Sequence, residues 1–270
     1  MRHSSPMKMY HLARKSAGHE TRGQSWSGET VDEGIALCPA QTIEPVFLKH
    51  LPRSGRILES GCGLGRWVFY LRRKGYDIAG IDLAEPAIQA ARSYDPTVPI
   101  HRDDVLHSSF AGGVFDAAIS LGVVEHFEDG PEVALGELRR LLKNDGLLFI
   151  SVPTQNLMRI LLTNHMKALY RLILQRRGKE FVFEEYRYTR SEFQSRLARA
   201  GFEILEMVPD DFIPPRNMGL YVDFPFLRHS SRKWELNAAG RMLRGVTAIF
   251  SPWWTCGGTH WVCRKFVERQ

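Results

Sequence analysis

Three glycines within five positions form a turn that suits close contact between main chain and a ligand. Gly61, Gly63 and Gly65 lie in "ESGCGLGRW" (59–67), directly after a short apolar run. Glycine adopts backbone conformations that other residues avoid, so such a turn lets backbone groups approach a bound molecule. The spacing G-x-G-x-G is one residue shorter than a dinucleotide fingerprint, and Arg66 stands where a phosphate-binding loop has its lysine. Neither phosphate motif is therefore present.

Three acidic residues at the ends of predicted strands narrow the choice of ligand. Glu59 ends the first predicted strand, Asp82 ends the second in "GIDLAEPAI", and Asp104 ends the third in "RDDVLHSSF". Ligands of open α/β sheets bind beyond the carboxyl ends of the strands. A carboxylate accepts hydrogen bonds, so Asp82 suits ribose hydroxyls and Asp104 an adenine amine, while Asp103 is expected to face solvent. Acids without a phosphate cradle indicate a positively charged nucleoside, and S-adenosylmethionine (SAM) is such a ligand.

Short apolar strands that alternate with helices position these residues. The strands are predicted at 56–60, 76–82, 99–105, 115–122 and 147–153, then after the helix that begins near Thr189, and at 259–267. The amphipathic helix "GPEVALGELRRLLKNDG" is predicted to stop at Gly146. This alternation indicates an α/β fold with a doubly wound, mostly parallel sheet that is covered on both faces.

Four stretches occur in the order and spacing of a known family. They are "ILESGCGLGRW" (57–67), "GIDLAEPAI" (80–88), "DDVLHSSFAGGVFDAAISLGVVEHFED" (103–129) and "LRRLLKNDGLLFISVP" (138–153). They resemble the class I SAM-dependent methyltransferases, in particular the group that acts on small molecules. The resemblance covers residues 43–153 well, and 186–207 and the last strand less closely. It implies a Rossmann-like, seven-stranded sheet, with SAM as cofactor and S-adenosylhomocysteine (SAH) as product.

The resemblance also implies roles for the residues that match the first two motifs. Glu59, where the family often has aspartate, orients the methionine ammonium of SAM. Gly61 and Gly63 lie along the methionine and sugar parts. Asp82 holds the ribose hydroxyls, and Leu83 packs beside the adenine.

The later motifs imply the rest of the cofactor site in the same way. Asp104 and the Val105 amide read the adenine edge. Ser120 or Leu121, at the end of the fourth strand, offers a carbonyl to the methionine ammonium.

Glu125-His126 is the candidate catalytic pair. It follows the fourth predicted strand at the mouth of the pocket, and similar Glu-His pairs occur widely in the family. A general base is needed only where the acceptor loses a proton, as a hydroxyl does. His126 is therefore the candidate base for O-methylation; alternatively the pair is structural and fixes its loop. No third ligand is evident beside the pair, so no metal is predicted.

The regular alternation breaks after Pro153, where an insertion (155–188) is expected to form a helical lid over the acceptor. One basic stripe recurs at four-residue spacing along its helix: Arg159, Thr163, Lys167 and Arg171. Three interpretations stay open. The helix packs on the core and the acceptor, or it lies on a membrane surface through 157–177 and serves a lipid-like acceptor, or it binds a partner or second subunit.

The remaining segments are assigned by composition. Residues 1–40 are expected to be flexible or to form an active-site flap, and 41–270 to form the methyltransferase domain. The aromatic-rich excursion 209–255 is either a second wall of the acceptor pocket or core filler. Tyr188 either lines that pocket or packs against the next helix.

Bulk composition excludes several classes. The chain has 270 residues, 44% hydrophobic and 24% charged, and a net charge of +6. The balance is mildly basic, but no long Lys/Arg run favours nucleic acid. Four cysteines without metal-ligand spacing, no secretory signal and no apolar stretch of spanning length point to a cytoplasmic protein.

The sequence thus predicts a methyltransferase for a small organic acceptor, with oxygen as the expected accepting atom. If the lid helix lies on a membrane, the acceptor is expected to be hydrophobic or lipid-like. An enzyme for RNA or protein is the alternative, although "SLGVVEHF" lacks an Asn-Pro-Pro-Tyr type motif. A SAM-binding accessory or regulatory protein without transferase activity is a third possibility. The oligomeric state stays open.

Overall fold

A seven-stranded sheet forms the centre of the molecule. The computed structural model describes residues 6–12 and 30–266. Within these residues the strands are β1 (Met7–Leu12), β2 (Arg56–Ser60), β3 (Asp77–Asp82), β4 (Ile100–Arg102), β5 (Phe115–Leu121), β6 (Leu142–Pro153), β7 (Phe181–Arg187), β8 (Phe202–Asp210) and β9 (Gly258–Lys265). The central sheet has the order β4-β3-β2-β5-β6-β9-β8, and β1 and β7 pair in a separate ribbon.

The sheet is parallel except at one strand. β2, β3, β4, β5 and β6 run parallel, and β9 enters antiparallel between β6 and β8. The strand order reverses between β2 and β5, which places a ligand crevice beyond their carboxyl ends. The predicted doubly wound, mostly parallel Rossmann-like sheet is confirmed.

The helices lie between the strands and on both faces. They are α1 (Val31–Leu37), α2 (Glu44–His50), α3 (Arg66–Arg73), α4 (Glu85–Tyr94), α5 (Glu132–Leu141), α6 (Asn164–Arg176), α7 (Arg190–Arg199), α8 (Gly219–Asp223) and α9 (Ala238–Phe250). One core cluster contains Phe47, Trp67 and Phe149, and a second contains Tyr188 and Trp261. Because both faces of the sheet are packed, its strands carry the continuous apolar runs seen in the sequence.

Helix α5 ends earlier than predicted. It ends at Leu141 instead of Gly146, and β6 begins directly at Leu142. Leu142 pairs with Phe115 of β5, and pairing resumes only at Leu147, so the residues between form an irregularity around Asp145, whose φ is 59°. The helix-like spacing could not reveal this, because Leu141 and Leu142 are both buried, one from the helix and one from the strand.

The third predicted strand is shorter than expected. β4 covers only Ile100–Arg102, so Asp104 lies two residues beyond the strand instead of ending it. The helix predicted to begin near Thr189 is confirmed as α7: the Thr189 side chain accepts from the Glu192 N–H, and the Glu192 carboxylate accepts from the Thr189 N–H at 2.8 Å. This reciprocal pair fixes the start of α7.

The insertion after β6 is helical and then extended. Residues Arg159–Thr163 form a π-helical turn, and α6 continues from it to Arg176. We call Arg159–Arg176 the lid helix. Strand β7 follows and pairs antiparallel with β1, so Met7 lies opposite Arg187. Within the segment 1–40, residues 7–12 thus form a strand and 31–37 a helix, while 1–5 and 13–29 lie outside the described residues.

Candidate active site

The glycine turn follows β2 and is tied to the neighbouring strand. The N–H groups of Gly61 and Cys62 donate to the Ile81 carbonyl at 2.8 and 2.9 Å. Gly61 has a φ of +80°, which favours glycine, and a Cβ there would lie 2.5 Å from Cγ2 of Val123. The turn therefore needs glycine both for its backbone conformation and for the close approach of the loop after β5.

Asp82 links the glycine turn to the next loop. Its Oδ2 accepts from the Gly63 N–H at 2.7 Å, and its Oδ1 accepts from the Ala84 N–H at 2.8 Å. Each carboxylate oxygen keeps a second lone-pair site, so two further donors can bind. Leu83 beside it is 52% exposed, which leaves an apolar surface at the mouth of the crevice.

Glu59 is a buried acid at the end of β2. Burial raises its pKa to about 8, against an opposing effect from the nearby Arg66 charge. Its Oε2 atom has no hydrogen-bond partner among the described residues. A buried carboxyl group with an unused acceptor atom fits a cationic ligand group, which would favour its ionised form.

The loop after β4 is organised by Asp103, which is half-buried and hydrogen-bonded within the loop. Its carboxylate accepts from the Ser108 hydroxyl at 2.6 Å and from the Ser109 N–H at 3.0 Å. These hydrogen bonds outweigh burial and hold the pKa of Asp103 below its usual range. Asp104 accepts from the Leu106 N–H at 2.8 Å, and Val105 packs on a small cluster under the loop.

The end of β5 completes the crevice. Ser120 is buried, and Leu121 pairs with Ser151 of β6, so the sheet holds both residues in place. A short 3-10 turn, Val124–His126, follows after Gly122, whose φ is +71°. The structure thus brings the ends of β2, β3 and β5 together, as predicted, with Asp104 in the loop that follows β4.

Glu125 and His126 lie in different surroundings. Burial raises the pKa of Glu125, the charges of Glu185 and Asp210 act in the same direction, and its Oε2 has no hydrogen-bond partner among the described residues. His126 Nδ1 lies 2.7 Å from the Glu184 carbonyl of β7. A carbonyl oxygen only accepts, so Nδ1 carries the proton and Nε2 is the basic nitrogen of the neutral ring.

Sequence reasoning missed a second acid–histidine pair at the same edge of the sheet. Nε2 of the buried His260 lies 3.0 Å from Oδ1 of Asp210. Burial acts to raise the pKa of Asp210, but the His260 partner outweighs it and keeps that pKa low. Asp210 ends β8, so its position at the end of a strand could have identified it as a site residue from the sequence. His260 lies in β9 with 2% of its surface exposed, and only the fold shows its partner.

The basic stripe of the lid helix faces the protein. Arg159 Nε donates to Asp223 Oδ2 at 2.6 Å, and Lys167 Nζ lies 3.0 Å from Asp223 Oδ1. Arg187 of β7 approaches the same carboxylate at 3.4 Å. Asp223 lies in α8, so these ion pairs join the lid helix, the ribbon and the C-terminal excursion. The buried Tyr188 packs against Phe193 of the following helix, at a ring distance of 5.1 Å.

Comparisons with known proteins agree with this architecture. A family model described as a methyltransferase domain matches residues 29–207. The chain is 29% identical over 178 residues to the ubiquinone biosynthesis O-methyltransferase of Chromobacterium violaceum, covering 62% of this chain and 75% of that protein. It is 28% identical over 222 residues to the malonyl-[acyl-carrier protein] O-methyltransferase of Geobacter sulfurreducens, covering 78% and 75%.

A solved structure shares the fold. The SAM-dependent methyltransferase of Methanosarcina mazei superposes with a TM-score of 0.58 at 18% identity, covering 83% of this chain and 98% of that one. The sheet, the crevice and the matched domain define a SAM-dependent methyltransferase of class I. This chain belongs to the methyltransferase-domain family and uses SAM as its methyl donor. Within residues 6–12 and 30–266, no three His, Cys, Asp or Glu side chains cluster as metal ligands do.

Proposed function

We propose that this enzyme methylates an oxygen of a small organic acceptor, with His126 as the general base. The observation that carries the proposal is the 2.7 Å contact between His126 Nδ1 and the Glu184 carbonyl. It fixes the tautomer, because Nδ1 donates to β7 and Nε2 is left as the basic nitrogen of the ring. The Chromobacterium and Geobacter relatives, both named as O-methyltransferases, support oxygen as the accepting atom.

The cofactor site is proposed from the geometry of the crevice. Asp82 binds the ribose hydroxyls through the lone-pair sites that Gly63 and Ala84 leave unused. Glu59 faces the ammonium group, because its buried Oε2 has an unused acceptor site. Leu83 covers the adenine ring with its exposed apolar side chain.

The remaining cofactor contacts come from the loops after β4 and β5. Asp104 and the Val105 N–H face the adenine edge, held in place by the loop that Asp103 closes. The Ser120 or Leu121 carbonyl accepts from the methionine ammonium at the end of β5. These roles follow the strand ends that the sheet brings together.

In the proposed reaction the protein removes one proton, aligns the acceptor and excludes water. SAM supplies an electrophilic methyl group on a sulfonium, so the carbon–sulfur bond breaks as a carbon–oxygen bond forms. His126 Nε2 takes the hydroxyl proton and holds it until it passes to solvent. The lid helix and the ribbon align the acceptor and exclude water, which are the main contributions an enzyme makes to such a displacement.

A panel of acceptors with hydroxyl, amine and thiol groups, assayed for SAH release, tests the accepting atom. We expect turnover with a hydroxyl acceptor, a loss of about 10²–10⁴-fold in kcat for His126→Ala, and unchanged SAH affinity. His165→Ala, an exposed histidine of the lid helix, is the matched control and should keep full activity. Turnover confined to amines, to RNA or to protein would overturn the proposal, as would SAM binding without any turnover.

A further inference from the structure

The lid helix has the reverse of the usual orientation of a surface helix. In a soluble protein such a helix buries its apolar side and exposes its polar side. Here Arg159 and Thr163 are buried, and Lys167 pairs with the buried Asp223. Asn164 donates to Gln155 at 2.8 Å on the same inward side. The polar contacts therefore fix the helix with its apolar side chains turned outward.

These side chains form what we call the outer apolar face. On the lid helix it consists of Ile160, Leu161, Leu162, Met166, Leu169, Tyr170, Leu172 and Ile173, and on α9 of Met242, Val246, Ile249 and Phe250, all exposed. The α9 residues recur at the spacing of one helix face. No residue of α6 is buried.

Both helices pack on one cluster. Met158, directly before the lid helix, and Leu243 of α9 pack against the same small cluster around Leu220 and Phe224 of α8 and the turn after it. Two exposed apolar helix faces that share one cluster present more apolar surface than scattered surface residues do, and such a surface marks a contact site.

The charge around this face identifies what it contacts. Residues 155–179 contain six Lys or Arg and no Asp or Glu, but Arg159 and Lys167 pair inward with Asp223, so the other four are left for the surface. With Asp223 counted, residues 155–179 and 223–254 together carry +9, whereas the whole chain carries +6, so the rest of the molecule carries −3. Arg176 and Arg177 at the end of the lid helix, and Arg241 of α9, are exposed.

We propose that the outer apolar face docks onto an anionic lipid bilayer, with the lid helix lying in the interface plane. An apolar face bordered by Lys and Arg is the pattern that binds such surfaces, by burial of side chains and by attraction to acidic headgroups. A second copy of the chain would instead bring two strongly basic surfaces together, which repel. Among the described residues no helix is long and apolar enough to cross a bilayer, so the contact is peripheral.

Flotation of the full chain with lipid vesicles, without SAM or acceptor, tests the inference independently of the proposed reaction. We expect binding to phosphatidylcholine vesicles that contain phosphatidylglycerol, and about tenfold weaker binding to phosphatidylcholine alone. Leu161→Glu with Leu169→Glu should reduce binding by about tenfold or more. Val133→Glu places one such charge on an exposed apolar residue of α5, as the control for each single Leu→Glu change, and should bind as the unaltered protein does.

A charge pair provides the second arm. Arg176→Glu with Arg177→Glu should weaken binding to anionic vesicles by about tenfold, whereas Arg199→Glu in α7 should not. Circular dichroism and SAH affinity confirm that each variant is folded. Equal binding to neutral and anionic vesicles, no binding at all, or full binding by the Leu161/Leu169 variant overturns the proposal. So does a dimer in sedimentation that this variant dissociates, because the face is then a self-interface.

Discussion

Asp82 holds the glycine turn in place through Gly63, whose N–H lies 2.7 Å from the Asp82 Oδ2 atom. The other carboxylate oxygen accepts from the Ala84 N–H, so one side chain sets the spacing of two loops. The residue proposed to bind the ribose therefore also shapes the turn that lies along the rest of the ligand.

Asp82→Ala removes both hydrogen bonds and the proposed ribose contact. We expect SAM and SAH to bind about 10–100-fold more weakly, because hydrogen bonds to a charged group contribute about 1.5–3 kcal/mol each. Isothermal titration with SAH measures the change. Asp77→Ala, at the opposite end of the same strand β3 and exposed, is the control and should bind SAH normally. An unchanged SAH affinity in Asp82→Ala would remove this residue from the cofactor site.

Gly61→Ala should disturb the crevice by steric conflict. The new methyl group would lie 2.5 Å from Val123 Cγ2 at a φ of +80°, which costs about 1–3 kcal/mol and displaces the loop after β5. Thermal unfolding and SAH titration should show both losses. The double variant Gly61→Ala/Val123→Ala should recover the stability lost to the steric conflict, but not the stability lost to the unfavourable backbone conformation.

Gly136→Ala is the control for the Gly61→Ala variant. Gly136 lies inside α5, and a Cβ there would meet nothing within 4 Å. Gly136→Ala should therefore stabilise the protein by about 0.5–1 kcal/mol, through helix propensity alone. If both glycine variants behave alike, the close approach of Gly61 to Val123 is not what the turn requires.

Glu59 makes SAM binding depend on pH. Burial raises its pKa to about 8 in the free protein, from an ordinary value of 4.5. A cationic ligand favours the ionised carboxylate, so below pH 8 binding must release a proton. SAM affinity should therefore rise as pH increases from 6 to 8, by up to about tenfold per unit, and then level off. Calorimetry in buffers of different ionisation enthalpy should detect the released proton.

Glu59→Gln is the test of that assignment. Its SAM affinity should lose this rise between pH 6 and 8, while Glu203→Gln in the exposed part of β8 should retain it. The same residue also affects folding. The folded pKa lies above the unfolded one, so Glu59 lowers the free energy of unfolding as pH rises from 4.5 through 8. The free energy of unfolding of Glu59→Gln should therefore increase relative to that of the unaltered protein as pH rises over that range.

Asp223 anchors the lid helix. Asp223→Asn leaves the buried Arg159 without its charged partner, which costs about 3–5 kcal/mol where a buried pair is broken. Hydrogen exchange should show the loss mainly in residues 159–176 and in the ribbon, because Lys167 also loses its carboxylate partner and Arg187 keeps only Glu185. Asp95→Asn, on an exposed turn, should leave exchange in the lid unchanged. Full protection of the lid helix in Asp223→Asn would show that this carboxylate does not anchor it.

The pH dependence of that anchor has the opposite sign to that of Glu59. Burial acts to raise the pKa of Asp223, but the charges of Arg159, Lys167 and Arg187 outweigh it and lower the pKa to about 2. The stabilisation is therefore complete above pH 3.8 and is lost as pH falls towards 2. Exchange in the lid should increase over that range before the sheet unfolds.

The meeting of the strand ends could be predicted because its signals are local. Asp82 and Leu121 end β3 and β5, Glu59 is the last residue but one of β2, and parallel strands place their carboxyl ends at one edge. The same reasoning did not reveal that Asp103 organises its loop, since its partners Ser108 and Ser109 are found only once the loop closes on itself. Polar spacing alone does not separate a solvated acid from one that organises a turn.

The orientation of the lid helix could not be predicted. Its periodicity correctly separated a basic stripe from an apolar one, but not which of them faces the protein. That choice depends on Asp223, which lies 56 residues beyond Lys167 in the sequence. The end of α5 was missed for a related reason, because Leu142 serves β6 while continuing the spacing of the helix.

The ribbon of β1 and β7 imposes an order on how the lid is assembled. Met7 leaves the ribosome long before Arg187, its partner in the pairing register. A two-stranded ribbon is marginal by itself, and closing so long a segment of chain carries an entropic cost. β1 therefore pairs with β7 only after strands β2 to β6, which bound the crevice, have been synthesised. During synthesis the crevice is complete before its cover is.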